Sequence, residues 1–435
     1  MASAGWTLDQ VAFLLVGKSV SRGEPALESM VVVTGQVKDF DAHRLARPEF
    51  LIQRGRLNLQ IGCTSRFRKS IASGFLKTPL ILSIDAFLDD PVEQARPVID
   101  VRTPAEYALD HLPGAANHPV LSDDERIVVG TLHRDCGAFD ANVKGAALVA
   151  ASIAAMLGGP FATRPRSWNP LIYCWRGGSR SWSLATVLAR IGWRVALLDG
   201  GYRSYRQRVV ADIQSLATLL DFLVVAGPTG SGKTTVLQHA GRSGAQVLDL
   251  EALANHRGSV LGAVPNEPQP SQKAFDALLW RALRAFDPAR PVLVESESRK
   301  IGQLHLPEPL MQRMRASPCV KLEVPLAVRI QLLRDQYPHL EEDREGLKER
   351  LERLVPLYRD GRVAEWRALV DAGQWEELVE RLLLQHYDPA YHRSLLRNYG
   401  QAARAPVIGL PAAGREALAG AAAALLGKVP LDIGA

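Results

Sequence analysis

The chain has 435 residues, of which 47% are hydrophobic and 23% charged, and a formal net charge of +6. This balance excludes a wholly disordered chain, a collagen-like fibre and a disulfide scaffold, and domains of ~100–200 residues make two or three of them the expectation. Eleven Lys and Arg against six Asp and Glu in residues 1–80 carry most of the charge, so net charge alone does not argue for nucleic acid.

Four cysteines (Cys63, Cys136, Cys174 and Cys319) show no CxxC pairing. Neither a zinc ribbon nor a disulfide framework is indicated, and a reducing compartment, the cytoplasm, is expected. The longest weakly polar run, Ala146–Gly159, falls short of the ~20 residues of a membrane helix. No basic stretch precedes the apolar segment Val11–Val16, so the sequence predicts neither a secretory signal nor a membrane partner.

Residues 1–79 have no sustained hydrophobic period and read as a poorly ordered extension. From Leu80 the pattern changes. Val98–Val101, Pro170–Tyr173 and Val195–Leu198 read as buried strands, with helical patterns at Val143–Leu157 and Arg180–Ile191. Such alternation predicts an α/β layer with a parallel sheet over 80–212. Gly201–Leu220 reads as a connecting helix. A second α/β unit over 213–400 carries strands at Phe222–Ala226, Gln246–Leu250, Pro291–Glu295 and Val320–Val324. Helices rich in Arg, Glu and Leu follow from Leu326, and 401–435 reads as an Ala/Gly/Leu-rich tail.

The first chemical feature is Cys174-Trp175-Arg176-Gly177-Gly178-Ser179-Arg180, placed between a strand and a helix. Successive backbone N–H groups in such a turn point into one concavity, and glycines let the backbone curl. The helix N-terminus and the two arginines favour a thiolate, a chalcogen anion or an oxyanion there. Cys63, Cys136 and Cys319 lack this setting and read as structural. Cys174 and Arg180 also fit the C-x5-R signature of cysteine-dependent phosphatases, and the loop alone does not separate the two chemistries.

The second feature, Gly227-Pro228-Thr229-Gly230-Ser231-Gly232-Lys233-Thr234, fits G-x-x-x-x-G-K-[ST] between a strand and a helix. Gly227, Gly230 and Gly232 let the loop wrap a phosphate chain, Lys233 supplies a point charge and Thr234 a hydroxyl for Mg²⁺. The motif indicates a diphosphate or polyphosphate without specifying a nucleotide. Glu295 and Glu297, ending a strand, are candidate acidic partners. Thr234, Asp249 and Glu295 are the candidate magnesium ligands.

Asp100–Tyr107 followed by His111–Ala115 resembles the opening of a rhodanese domain, and Leu198–Tyr202 its closing segment. In that fold the cysteine loop carries sulfur or selenium as a covalent adduct, whereas Asp100 and Arg102 read as a structural ion pair. A rhodanese-like parallel sheet with flanking helices, fused to a P-loop α/β domain and a helical C-terminal region, resembles the tRNA 2-selenouridine synthase family. Asp123–Thr131, Asp249–Ser259, Glu295–Gly302 and His386–Tyr391 resemble it too.

The resemblance implies a transferase acting on tRNA with 2-thiouridine at the wobble position. Such an enzyme geranylates the sulfur with geranyl diphosphate and exchanges it for selenium from selenophosphate, received from a selenophosphate supply enzyme. No tightly bound cofactor is expected. Cys174 is carried over as the selenium-bearing nucleophile. Gly145 aligns with a family glycine that would let the backbone approach the loop. His256, Arg257 and Arg299 become candidate contacts to diphosphate or RNA. The charged helices of Leu326–Gln385, with Arg329 and Arg334 among their basic residues, read mostly as a solvated face that tRNA touches. The rival readings are a cysteine-dependent phosphatase, a P-loop kinase or a rhodanese-type tRNA sulfurtransferase.

Overall fold

Short runs of fully buried apolar residues build two parallel sheets, because a strand covered on both faces has no polar side to alternate. The computed structural model describes residues 78–428 apart from Val260, Asn266 and Arg359. The extension expected over 1–79 lies outside the described residues save Thr78 and Pro79, as does Cys63.

The first sheet has five strands: β1 (Leu80–Leu82), β2 (Val98–Asp100), β3 (Ala115–Asn117), β4 (Leu171–Tyr173) and β5 (Ala196–Leu198), in the order β1-β5-β4-β2-β3. Its central strands β2, β4 and β5 are buried throughout. Helices α1 (Asp123–Asp135) and α2 (Ala138–Gly158) form a hairpin between β3 and β4, and α3 (Ser179–Ile191) joins β4 to β5. A capping box of Ser122 and Glu125 starts α1. Helix α2 has the length and apolarity to cross a membrane, yet its apolar residues Val149, Ile153 and Met156 pack into the core of this sheet.

Helix α4 (Gly201–Leu219) leads to the second sheet and runs unbroken past residue 212, so the two α/β units meet along it rather than at a linker. The second sheet has the order β12-β11-β6-β8-β7, from β6 (Phe222–Ala226), β7 (Gln246–Leu248), β8 (Val292–Glu295), β11 (Cys319–Glu323) and β12 (Val407–Gly409). A small antiparallel pair, β9 (Lys300–Ile301) and β10 (Leu304–His305), hangs off its edge. Helix α5 (Lys233–Arg242) follows β6, and α6 (Gln272–Arg284) packs on α4. After β11 come α7 (Leu326–Gln336), α8 (Trp375–Leu382), a π-helical turn at Leu383–Tyr387, α9 (Asp388–Asn398) and finally α10 (Arg415–Leu426).

The segment after Gln401 is therefore not a free tail. Strand β12 pairs with β11, and Leu418, Ala421, Ala422 and Leu425 of α10 fill one face of the sheet. Its small apolar residues are the buried stripe of a helix, which their low charge concealed.

One hydrophobic cluster runs from Leu82, Tyr173 and Ala196 of the first sheet to Phe222, Val224 and Val292 of the second. Helix α4 bridges them by burying Tyr202, Tyr205, Val209, Ile213 and Ala217, spaced three or four apart on one face. Tyr205 meets Trp280 of α6 edge-on at 5.7 Å, and Trp280 Nε1 donates to Asp212 at 2.9 Å. Arg206 reaches Asp276 at 2.8 Å and Asp110 at 3.5 Å.

A shared core predicts one cooperative transition for both sheets. Trp280→Ala should destabilise the chain by ~3–5 kcal/mol. In a denaturant titration followed by hydrogen exchange, the amides of β4 and β6 should lose protection together. Two separated transitions would contradict the shared core.

Candidate active site

The cysteine loop leaves β4 directly after Tyr173, whose hydroxyl donates to Asp100 at 2.7 Å while Asp100 pairs with the buried Arg102 at 2.6 Å. This is the structural ion pair expected from the sequence, and it fixes the strand ends from which the loop springs. Cys174 is buried, and Ser181 Oγ donates to its Sγ at 3.1 Å. Ser181, in the first turn of α3, was not singled out from the sequence, because nothing but its helical position tells that it faces the sulfur.

The closing segment has a geometric role. Tyr202 N donates to Cys174 O at 2.8 Å and Arg203 N to Trp175 O at 3.0 Å. A Cβ on Gly201, at φ +59°, would lie 2.4 Å from Cys174 O and 2.6 Å from Gly177 N. Only glycine permits that approach, so the start of α4 is moulded onto the cysteine loop.

The two loop arginines differ. Arg176 is exposed beside the exposed Gly178 and Ser179. Arg180 is bound to Glu106 at 2.7 Å. Burial opposes ionisation of Glu106, yet the Arg180 guanidinium holds its carboxyl below the usual range. Glu106 thus fixes the Arg180 side chain against the helix Pro104–Leu109. Backbone amides and Arg176 supply the loop's remaining positive field.

Gly145 does not approach this loop. It lies within α2, where an added Cβ would touch a methyl of Val129 on α1 at 3.5 Å. Its role is helix packing within the α1–α2 hairpin.

The phosphate loop joins β6 to α5, with Gly230 at φ +78° and Gly232 at φ +70°. Lys233 Nζ donates to Gly227 O at 2.9 Å. The loop is braced from the C-terminal helices: the buried Arg329 of α7 donates to Thr229 O at 2.8 and 3.0 Å and pairs with Asp388 of α9 at 2.6 Å. Arg329 is therefore no part of a solvated face. The alternation of acids and bases along these helices hid the one arginine that turns inward.

Beside Lys233, Glu251, Glu295 and Glu297 bring carboxylate oxygens within 4.8 Å of one another. Thr234 Oγ1 lies 3.1 Å from Glu251 Oε2 and 2.9 Å from Glu295 Oε1. A hydroxyl has one proton, so it donates to only one of them; the other contact requires a protonated carboxyl. Burial first, and then carboxylate repulsion, raise the pKa of both Glu251 and Glu295. For the same reasons Glu297 is pushed up to about 7. The buried Glu295 Oε2 has no hydrogen-bond partner among the described residues.

A cluster of hard oxygens with an orphaned lone pair suits a divalent cation such as Mg²⁺. Glu251, Glu295, Glu297 and Thr234 would hold it. Asp249 would not, because its side chain caps the helix Leu250–Ala254 by accepting from Ala252 N at 2.9 Å. Glu251 was missed in the sequence because the strand end drew attention to Asp249, two residues earlier.

His256 and Arg257 line the same pocket of about 600 Å³. Burial lowers the pKa of His256, favouring neutral imidazole. Arg257 donates to Gln336 O and lies over the Tyr337 ring at 4.6 Å. Gly258, at φ +66°, lets this loop cross the carboxylates; its Cβ would sit 2.9 Å from Glu251 Oε1. Arg299 stays outside, exposed and 3.6 Å from Glu308.

The helix that starts at Gln272 lies between the phosphate pocket and the first α/β unit. From the phosphate pocket a groove continues past His256 and Ser259 to Ser271 and Gln272. There Ser271 Oγ donates to Leu109 O of the first unit. Lys273 Nζ lies 5.2 Å from the centre of the Trp175 ring, next to Cys174.

Residues 85–208 match the rhodanese-like domain family, and residues 220–354 match the tRNA 2-selenouridine synthase AAA domain family. The tRNA 2-selenouridine synthase of Nitrosomonas europaea is 36% identical over 252 residues, 55% of this chain and 63% of the relative. That of Bdellovibrio bacteriovorus is 32% identical over 355 residues, 71% of this chain and 91% of the relative. The chain belongs to the tRNA 2-selenouridine synthase family. The described architecture, a rhodanese unit followed by a P-loop unit, agrees with both domain matches. Among solved structures, a rhodanese-related protein from Thermoplasma volcanium aligns with 30% of this chain and 92% of its own, at 16% identity and a TM-score of 0.20.

The carboxylate cluster sets a pH-dependent prediction. A carboxyl whose pKa rises on folding, as from 4.5 to about 7 at Glu297, retains a proton that the unfolded chain has lost. Stability should fall as pH climbs through that window and level off above it. A bound divalent cation replaces those protons. Thermal melts should therefore show a larger Mg²⁺-induced rise in Tm at pH 8 than at pH 6, and Glu297→Gln should remove most of the difference. An equal rise at both pH values, or none, would contradict the cation site.

Proposed function

We propose that this chain is a cytoplasmic transferase that converts wobble 2-thiouridine of tRNA to 2-selenouridine in two steps, one at each loop. The single observation that carries this reading is that the sheets bearing the cysteine loop and the phosphate loop share one hydrophobic core through the buried face of α4. The family membership supplies the substrate, and the geometry supports the division of labour.

In the first step the thiouridine sulfur attacks C1 of geranyl diphosphate, the C1–O bond breaks and diphosphate departs. Lys233 and the amides of the phosphate loop stabilise the charge growing on that leaving group. Mg²⁺, when bound by Thr234 and the three glutamates, would add positive charge beside the same oxygens. Alkylation of sulfur releases the N3 proton of the base, and neutral His256 is the acceptor lining this pocket. The residues of the pocket position the base and exclude water.

In the second step the S-geranyl group is the leaving group that a plain thiocarbonyl lacks. Selenophosphate, held in the loop of Cys174, Arg176, Gly177, Gly178 and Ser179, attacks C2 through its selenium, the C2–S bond breaks and geranyl thiolate departs; water then takes the phosphoryl group, breaking the P–Se bond and releasing orthophosphate and the 2-selenouridine. Ser181, donating to Cys174 Sγ, keeps the sulfur directed into the loop. The partners are the thiolated tRNA and an enzyme that supplies selenophosphate.

Thiolated anticodon-stem RNA with geranyl diphosphate and selenophosphate, analysed by mass spectrometry, tests this assignment. Lys233→Ala should slow geranylation by about 10²–10³-fold while sparing selenation of pre-geranylated RNA. Cys174→Ser should do the reverse and let S-geranyl RNA accumulate. Equal loss of both steps in both variants, or no selenouridine from the wild type, would contradict the proposal.

A further inference from the structure

Next to the phosphate pocket lies a second cavity that the reading above does not use. It shares Thr229, Ser259, Leu333, Tyr337 and Tyr387 with the phosphate pocket, so the two adjoin. Beyond those residues its wall is formed by Leu261, Leu340, Leu347, Leu378, Leu382 and Leu383. We propose that this cavity receives the hydrocarbon tail of the diphosphate donor and sets which tail is accepted. The inference rests on the diphosphate reading of the phosphate loop and adds the subsite for the organic part.

The chemistry of the wall selects the occupant. Arg334 and Glu341, its two charged residues, satisfy each other at 2.9 Å. The Thr229 carbonyl is taken by Arg329. A nucleoside placed here would lose water from its ribose hydroxyls and base edges and meet a wall that is mostly leucine in return. A hydrocarbon loses nothing, and each buried methylene adds roughly a factor of four in affinity.

The space is narrow, about 80 Å³ against about 600 Å³ in the phosphate pocket. Between α8 and α9 the helix passes through a π-helical turn, Leu383–Tyr387. A π turn fits one more residue into the turn than an α-helix and re-aims the side chains around it. Leu383 and Tyr387, at its two ends, both line the cavity. Asp388, the next residue, holds Arg329 on the phosphate loop. The element that shapes the tail site is thus covalently continuous with the one that braces the phosphate site. Leu333 and Tyr337 line both cavities.

The test is calorimetric, on the full chain with Mg²⁺, using inorganic pyrophosphate, dimethylallyl diphosphate, geranyl diphosphate and ADP. Affinity should rise with tail length, with geranyl diphosphate about a hundred-fold or more tighter than pyrophosphate and tighter than ADP. Leu382→Trp, which fills the cavity, should bring geranyl diphosphate down to the affinity of pyrophosphate and leave pyrophosphate itself unchanged. Val379→Phe, at a half-buried wall position that tolerates bulk, is the second variant should the first fail to fold. It should weaken geranyl diphosphate more than dimethylallyl diphosphate. Equal affinity for pyrophosphate and both prenyl esters would overturn the tail site while leaving the diphosphate reading intact. Tighter binding of ADP would overturn the tail site in favour of a nucleotide. Absence of any diphosphate binding would overturn both readings.

Discussion

The buried face of α4 is the constraint on which the rest depends. Its first residues are moulded onto the cysteine loop through Gly201 and Tyr202, and its middle is clamped against α6 through Tyr205 and Trp280. Tyr202 also donates to Asp110 at 2.8 Å, and Asp110 faces Arg206, which reaches across to Asp276. Burial dominates the raised pKa of Asp110, so the pair is held by packing as much as by charge. A hydrophobic core that passes through both sheets holds the two loops in a fixed relation. In the proposed reaction sequence the nucleobase, rather than a domain, then moves between them.

The second sheet concentrates charge in a place where charge is costly. Lys233 faces three carboxylates whose ionisation burial resists, and Arg329 is buried under the phosphate loop with Asp388 as its counterion. Buried ionic groups of this kind are weak sources of stability. Clusters of perturbed groups in a pocket mark functional sites more often than structural ones. Their arrangement here follows one logic: cationic donors and amides on the side of the leaving diphosphate, carboxylates set to gather a cation beside it. The C-terminal helices complete the pocket from outside the P-loop sheet, which explains why Arg329 and Asp388, far apart in sequence, meet under Thr229.

Much of this was legible in the chain. Both sheets showed themselves because buried parallel strands are unbroken apolar runs, as at Phe222–Ala226 and Leu171–Tyr173. Both loops announced themselves through glycines at positions where the backbone takes positive φ, Gly177, Gly230 and Gly232 among them. What escaped notice depends on tertiary contact. Glu251 enters the carboxylate cluster because Asp249 is used as a cap. Arg329 turns inward from a helix whose sequence does not set it apart from the charged Arg334 and Asp335. The segment after Gln401 has so little charge that its packing stripe did not stand out. Edge strands β3 and β12 are three residues long and lack a pattern to detect. The apolar cavity arises only when α7, α8 and the π turn pack together, so no single stretch of sequence encodes it.

The most direct measurement of the central claim is an inter-sheet distance in solution. Cys136 is exposed at the end of α1, and Ser243 is exposed at the end of α5. Spin labels on Cys136 and on Ser243→Cys, in a chain carrying Cys63→Ser and Cys174→Ser with Cys319 buried, report the separation by pulsed electron paramagnetic resonance. A single narrow distribution, unchanged by pyrophosphate and by thiolated anticodon-stem RNA, is the predicted result. A broad distribution, or one that shifts when either ligand binds, would show the two loops moving independently and contradict the account.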